Sequence, residues 1–191
     1  MHELATQEEL KGIFKAFIQG QAIAENRIRL SVLASWNRCR ANGVDHRQRT
    51  SPVVFRDAAL VEHQAKHAEL MAVSAPIMEK IYVFLKGGGF VVALFDGSGI
   101  LLDVIGDLDV RKETATVNFV QGASWAEDAS GTNAVGTAIV ENRPLQVFGR
   151  EHYCLRSSNW TCSAAPIHST TGQIIGVLDI TGSAQKVHSH T

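Results

Sequence analysis

The chain has 191 residues, 45% apolar and 19% charged, with 18 basic side chains against 19 acidic ones and a net charge of −1. That length fits one domain, or one domain with a helical extension, and the balanced charge supplies no electrostatic footprint for nucleic acid or an anionic membrane. No apolar run approaches the roughly 20 residues that span a bilayer, the polar start from Met1 to Lys11 is unlike a secretory signal, and three cysteines (Cys39, Cys154, Cys162) without framework spacing point to free thiols in a reducing cytoplasm.

Apolar residues at Leu10, Ile13, Phe14, Phe17 and Ile18 recur at helical spacing. So short a helix must bury that stripe, either in a homodimer or on the chain's own sheet. The pattern resumes at Ile28, Val32, Leu33 and Trp36 and stops near Gly43. Six arginines fall between Arg27 and Arg49. With a neutral total charge, they read as a solvated helix face and loop rather than a DNA-binding arm. Asp57 is placed as the N-cap of a helix to about Met71. A further helix is expected from Ser74, with Pro76 in its first turn, ending at Gly87-Gly88-Gly89.

The character then changes. Residues 90–95 (FVVALF), a turn at Asp96-Gly-Ser-Gly99 and Ile100 to Ile105 read as a β-hairpin, and Ser163 to Ile167, a turn at 169–172 and Ile174 to Ile180 as another. Between them lie a polar helix from Asp107 to Val117, a loop with Trp125 and Glu127, a short helix from about Thr132 to Glu141 and a strand from Pro144 to Phe148. Trp160 starts the next strand. The chain divides at the Gly triplet into a helical region, 1–86, and a core, 87–191. The fold class is therefore α/β (α+β), a central antiparallel sheet flanked by helices with an N-terminal helical extension.

Few residues point to catalysis. The Gly triplet precedes a strand, whereas a phosphate cradle needs a helix N-terminus after its glycines. His63 and His67 sit four apart on one helix with no further ligand evident nearby, so they read as a solvated face, and no metal is assigned. Cys154 and Cys162 are eight apart, unlike a zinc knuckle, and are read as structural thiols. No cofactor and no catalytic residue is assigned. In Gly131-Thr-Asn-Ala-Val-Gly136-Thr137, the small residues Thr132 and Gly136 would let a helix approach the sheet closely. The same segment reads as close packing with an N-cap at Thr132 or its neighbour, or as the floor of a ligand pocket.

The stretch from Gly122 to Gly182 carries W-x-E at Trp125 and Glu127, GTNAVGTA at 131–138, RP at 143–144, EHY at 151–153, TCSAAPI at 161–167 and GVLDITG at 176–182. Upstream stand SWNRC at 35–39 and GVD at 43–45. Together these closely resemble the GAF sensor domain of acetoin-type sigma-54-dependent activators, over nearly the whole chain. The resemblance implies a GAF fold with a ligand cavity between the sheet and the GTNAVGTA segment. It also implies a regulatory role towards an AAA+ ATPase, with DNA and sigma-54 RNA polymerase reached only through domains absent here. The chain, ending at Val187-His-Ser-His-Thr191, reads as an excised sensory fragment or a short stand-alone protein. The rival readings are a GAF enzyme resembling free-methionine-sulfoxide reductases and a docking domain without ligand.

The proposed ligand-lining set is Trp125, Glu127, Asn133, Thr137, His152, Thr161 and Ser163. It rests on strand alternation: if Ala165 and Ile167 face the core, Thr161 and Ser163 share that side. Buried polar groups need partners, and either a small hydroxylated or carbonyl effector or the groups themselves supply them.

Overall fold

The computed structural model describes residues 4–184 of the chain; the end at Val187 to Thr191 lies outside the described residues. Helices α1 (Gln7–Ile18), α2 (Leu30–Ala41), α3 (Asp57–Lys66) and α4 (Ala68–Leu85) lead into strands β1 (Phe90–Asp96) and β2 (Leu101–Gly106). Then follow α5 (Leu108–Ala115), α6 (Glu127–Ser130), α7 (Ala134–Glu141), β3 (Leu145–Phe148), β4 (Trp160–His168) and β5 (Ile174–Ser183). The strands form one five-stranded sheet in the order β2-β1-β5-β4-β3, antiparallel throughout. This is the central antiparallel sheet flanked by helices that the sequence led us to expect.

Both faces of the sheet are covered. Val91, Ala93 and Phe95 of β1, with Cys162, Ala164 and Val177, face a core completed by α5, α7 and the loop bearing Phe119 and Trp125. The alternate residues, Val92 and Leu94, pack under Met78 of α4 together with Ile167, Leu178 and Ile180. A period of two on a doubly buried sheet puts apolar side chains on both sides.

A separate cluster holds the N-terminal helices. Leu10, Phe14 and Phe17 are no more than 6% exposed, packed with Trp36, Cys39 and Tyr153. Phe14 meets Trp36 and Tyr153 edge-on at centroid distances of 4.9 and 5.5 Å. The buried part of the α1 stripe, Leu10, Phe14 and Phe17, thus packs within the chain, against α2 and the Tyr153 segment.

Two helix boundaries differ from the sequence reading. Instead of restarting at Ser74, α4 runs unbroken through Pro76. The lost N–H and ring clash of an interior proline oppose this, and packing of Met78, Leu70 and Ile81 against β1 and β2 outweighs them. The break falls earlier, at His67, whose backbone leaves the helical region (φ −110°, ψ 17°). Asp57 is no N-cap: it is the first residue of α3, in the left-handed region at φ 49°, and Arg56 holds the cap position without a side-chain bond.

Candidate functional site

A narrow cavity lies between the β4–β5 face of the sheet, the first turn of α7 and the loop after α5. Trp125, Asn133, Ala134, Val135, His152, Trp160, Cys162, Asp179 and Thr181 line it, with Thr114, Val117, Phe119 and Ser157. The space between atoms is about 320 Å³, drawn out so thinly that it admits little more than a water. Its wall is mostly aromatic and aliphatic, and the polar groups on it are few.

Those few groups define the site. Among the described residues, five buried side-chain N or O atoms have no hydrogen-bond partner, and three of them belong to residues that line this cavity: Trp125 Nε1, His152 Nε2 and Asp179 Oδ1. Left without any partner each such group would cost about 1–3 kcal/mol, so three beside one space give it hydrogen-bonding capacity that a water or a polar guest can use. Their chemistry is complementary. Trp125 offers a donor. The His152 Nδ1–H donates to the Gly149 carbonyl at 2.9 Å, which leaves Nε2 as an acceptor, and burial holds that imidazole down at about 4, neutral at ordinary pH. Asp179 accepts from the Thr181 hydroxyl at 2.7 Å through Oδ2, while burial pushes its carboxyl up to about 7. The Thr181 hydroxyl also lies 3.1 Å from Cys162 Sγ.

Asn133 builds the wall. Its Oδ1 accepts from the Gly136 N–H at 2.9 Å and caps α7, and its amide donates to the carbonyls of Trp125 and Gly131 at 2.9 and 2.8 Å. One side chain therefore fixes the helix start and the Trp125 loop together. Gly136 completes the contact, since a Cβ there would lie 2.5 Å from Glu127 N and 2.7 Å from the Trp125 carbonyl. At Gly136 the small residue serves this loop, while α7 as a whole also packs closely on the sheet, as expected.

Of the seven residues placed in the pocket from sequence, the structure gathers Trp125, Asn133 and His152 around the cavity. The others lie elsewhere. Ala165 and Ile167 do share a side with Thr161 and Ser163, but it is the α4 side of the sheet, opposite the cavity. Thr161 is buried there with its hydroxyl unpartnered. Ser163 is exposed and its hydroxyl accepts from Gln146 at 3.3 Å.

Glu127 and Thr137 belong to a buried latch on the far side of α7. Glu127 accepts from Arg38 Nε and Nη2 at 2.6 and 3.0 Å, from the Ser35 hydroxyl at 2.6 Å and from the Thr137 hydroxyl at 3.0 Å. Ser35 also meets Thr132 at 2.7 Å, and Trp36 Nε1 donates to the Glu151 carbonyl at 2.8 Å. The SWNRC block thus closes on the W-x-E and GTNAVGT blocks. Arg29 likewise pairs with Glu151, so two of the six arginines are ion-paired to half-buried or buried carboxylates rather than solvated. Sequence reasoning passed over Asp179 and Thr181. The available signal was a lone carboxylate inside the apolar run Ile174 to Ile180.

His63 and His67 do not form a solvated face either. Their side chains are 14% and 27% exposed, and both close on Asp96, the buried last residue of β1.

Comparison with known proteins places the chain. The family model described as "MimR, N-terminal domain" matches residues 8–190. The chain is 35% identical over 177 residues to the acetoin dehydrogenase operon transcriptional activator AcoR of Bacillus subtilis, covering 93% of this chain and 29% of that protein. It is 31% identical over 172 residues to the propane 2-monooxygenase operon transcriptional activator MimR of Mycolicibacterium smegmatis, covering 89% and 28%. The chain thus spans under a third of these relatives' lengths. The fold is shared with a chain of the E. coli DhaR(N)–DhaL complex, with a TM-score of 0.79 at 16% identity over 84% of this chain and 55% of that one. By the extent of the family match, this chain belongs to the MimR N-terminal domain family.

Proposed function

We propose that this chain is the sensory domain of a bacterial sigma-54-dependent transcriptional activator. In this reading it binds a small polar effector in the cavity beside α7 and controls an AAA+ ATPase carried elsewhere in the activator. The observation that carries the reading is the convergence of Trp125 Nε1, His152 Nε2 and Asp179 Oδ1, all buried and unpartnered, on one mostly apolar space. A donor, an acceptor and a carboxyl suit a small hydroxylated or carbonyl compound. The names of the relatives, operon activators for acetoin and propane metabolism, support the regulatory role.

The route from cavity to output is short. A guest larger than a water needs the walls to move, and the first turn of α7 is one of those walls. That turn is bound through Asn133 to the Trp125 loop and through Thr137 and Glu127 to Arg38 of α2. An effector that binds one α7 position better than another can bias α2 by at most that difference in binding free energy. The non-enzymatic reading is supported by the thiols: all three are buried, and burial pushes Cys154 up to about 12 and Cys162 well above the ordinary range, the reverse of what a catalytic thiolate needs. Denaturing the purified chain and identifying any released small molecule by mass spectrometry tests the effector; a hydroxylated or carbonyl compound in stoichiometric yield is expected.

A second reading, docking of protein, draws on the exposed apolar residues Val73, Ile77, Val83 and Phe84 of α4 and on DhaR(N) having been solved with DhaL. The homodimer belongs to the proposal as well, with its surface moved from α1 to this α4 stripe. Light scattering of wild type and Phe84→Glu tests it: a dimer that the substitution dissociates is expected, and a strictly monomeric wild type contradicts it.

A further inference from the structure

We propose that His63, His67 and Asp96 form a binding site for a divalent transition-metal ion of the zinc type, which staples α3 to the sheet. Two imidazole nitrogens and a carboxylate oxygen, all within 4.8 Å of one another, make the group. His63 Nε2 lies 2.8 Å and His67 Nε2 3.9 Å from the same atom, Asp96 Oδ2.

The surroundings prepare all three ligands. His67 Nδ1 is 2.9 Å from the His63 carbonyl, which can only accept, so Nδ1 carries the proton and Nε2 presents a lone pair. A lone pair facing a carboxylate oxygen beyond hydrogen-bond reach is an arrangement a cation resolves. This is also the imidazole–carbonyl support that orients histidine ligands in metal sites. Asp96 is set in the same way. Its Oδ1 takes bonds from Ser98 N, Ser98 Oγ and Ile100 N at 2.8, 2.8 and 2.9 Å, which leaves Oδ2 for the histidines. Phe55 stacks on the His63 ring at 4.2 Å and fixes its plane.

An ordinary His–Asp pair explains His63 but not the aim of His67. Zinc bonds of about 2.0–2.1 Å imply ligand–ligand edges of roughly 3.3 Å. His63 would therefore withdraw, and His67 approach, by about half an ångström each, within the reach of small side-chain rotations. The ligand set selects the ion: two imidazoles favour zinc, cobalt or nickel over calcium and magnesium, which take oxygen. Asp96 is only 4% exposed while both histidines keep an open side, where water completes the shell.

The consequence is mechanical. No residue of α3 is buried, and its polar ties to the sheet include Gln64 Nε2 donating to the Leu102 carbonyl at 2.9 Å and His63 on Asp96. A bound ion would hold this loosely packed helix to the β1–β2 turn.

The test is a titration of the chelator-stripped chain with cobalt(II), read by its visible d–d spectrum, and with zinc by calorimetry. We expect one saturable ion per chain, no thiolate-to-cobalt charge-transfer band, and at least about tenfold weaker binding in His67→Gln and in Asp96→Asn, which keeps a carbonyl for the Ser98 and Ile100 bonds. Zinc should slow amide exchange over residues 57–67 in wild type and leave it unchanged in His67→Gln. His188→Ala with His190→Ala, which removes the histidines of the chain's end, should bind as wild type does. Binding that persists in His63→Gln with His67→Gln, that vanishes with the terminal histidines, or that shows a thiolate band overturns the proposal, as does the absence of saturable binding.

Discussion

Asp179 and His152 should give the cavity an acid–base signature of two opposite signs. Burial raises the Asp179 carboxyl from 3.8 to about 7, so the folded chain keeps a proton that the unfolded chain has released. Its contribution to stability is complete below 3.8 and is lost as pH rises through about 7. Burial lowers His152 from 6.5 to about 4, so the folded chain stays neutral where the unfolded chain binds a proton. That contribution is complete above 6.5 and is lost as pH falls through about 4. At roughly 1.4 kcal/mol per pH unit, the two losses come to about 4 and about 3 kcal/mol, and between pH 4 and 6.5 they nearly cancel. Urea-unfolding free energies at steps from pH 4 to 8 expose the pair through single variants. Relative to wild type, Asp179→Asn should gain about 4 kcal/mol as pH rises from 4 to 7. Relative to wild type, His152→Gln should lose about 3 kcal/mol as pH rises from 4 to 6.5. Three parallel curves would refute the assignment of either group as buried and lacking a charged partner.

The latch and the thiols give two further predictions. Arg38→Ala leaves Glu127 buried without its cation and should cost about 3 kcal/mol, the low end for breaking a buried pair because Arg38 is a third exposed; Arg38→Ala with Glu127→Gln should recover part of it by chemical denaturation. Cys154→Ser with Cys162→Ser should fold and retain any effector-induced stabilisation, with modest destabilisation at Cys162; loss of the response with the fold intact would favour the redox reading.

The elements legible in the sequence were those with an unambiguous local signature. Both hairpins announced themselves as β-branched apolar runs around glycine turns, and α1 by the spacing of Leu10, Phe14 and Phe17. The α4 boundary was misplaced because Ser74 and Pro76 read locally as a helix start, which packing under the sheet overrides. The pocket was half legible. GTNAVGT drew attention to Asn133, which lines the cavity, but alternation along β4 cannot say which face holds a cavity when helices pack on both sides of the sheet, and Thr161 and Ser163 lie across the sheet from it. Glu127 and Thr137 looked like ligand groups because their partners, Ser35 and Arg38, stand 92 and 89 residues from Glu127 in the chain. The histidine pair failed for the same reason, since Asp96 is 33 residues from His63. Chemistry assembled by long-range contacts leaves only its separate pieces in sequence.

The central claim is that the cavity beside α7 receives a small polar effector, and thermal unfolding with a panel of hydroxylated and carbonyl compounds tests it most directly. Wild type and Ala134→Leu, which fills the space from the first turn of α7, are compared side by side. A ligand at 100-fold its Kd stabilises by about 2.7 kcal/mol, and at about 2–4 °C per kcal/mol for a chain of this size that raises Tm by roughly 5–10 °C. The account predicts such a shift in wild type and its absence in folded Ala134→Leu. An equal shift in both proteins, or none in wild type across the panel, would contradict it.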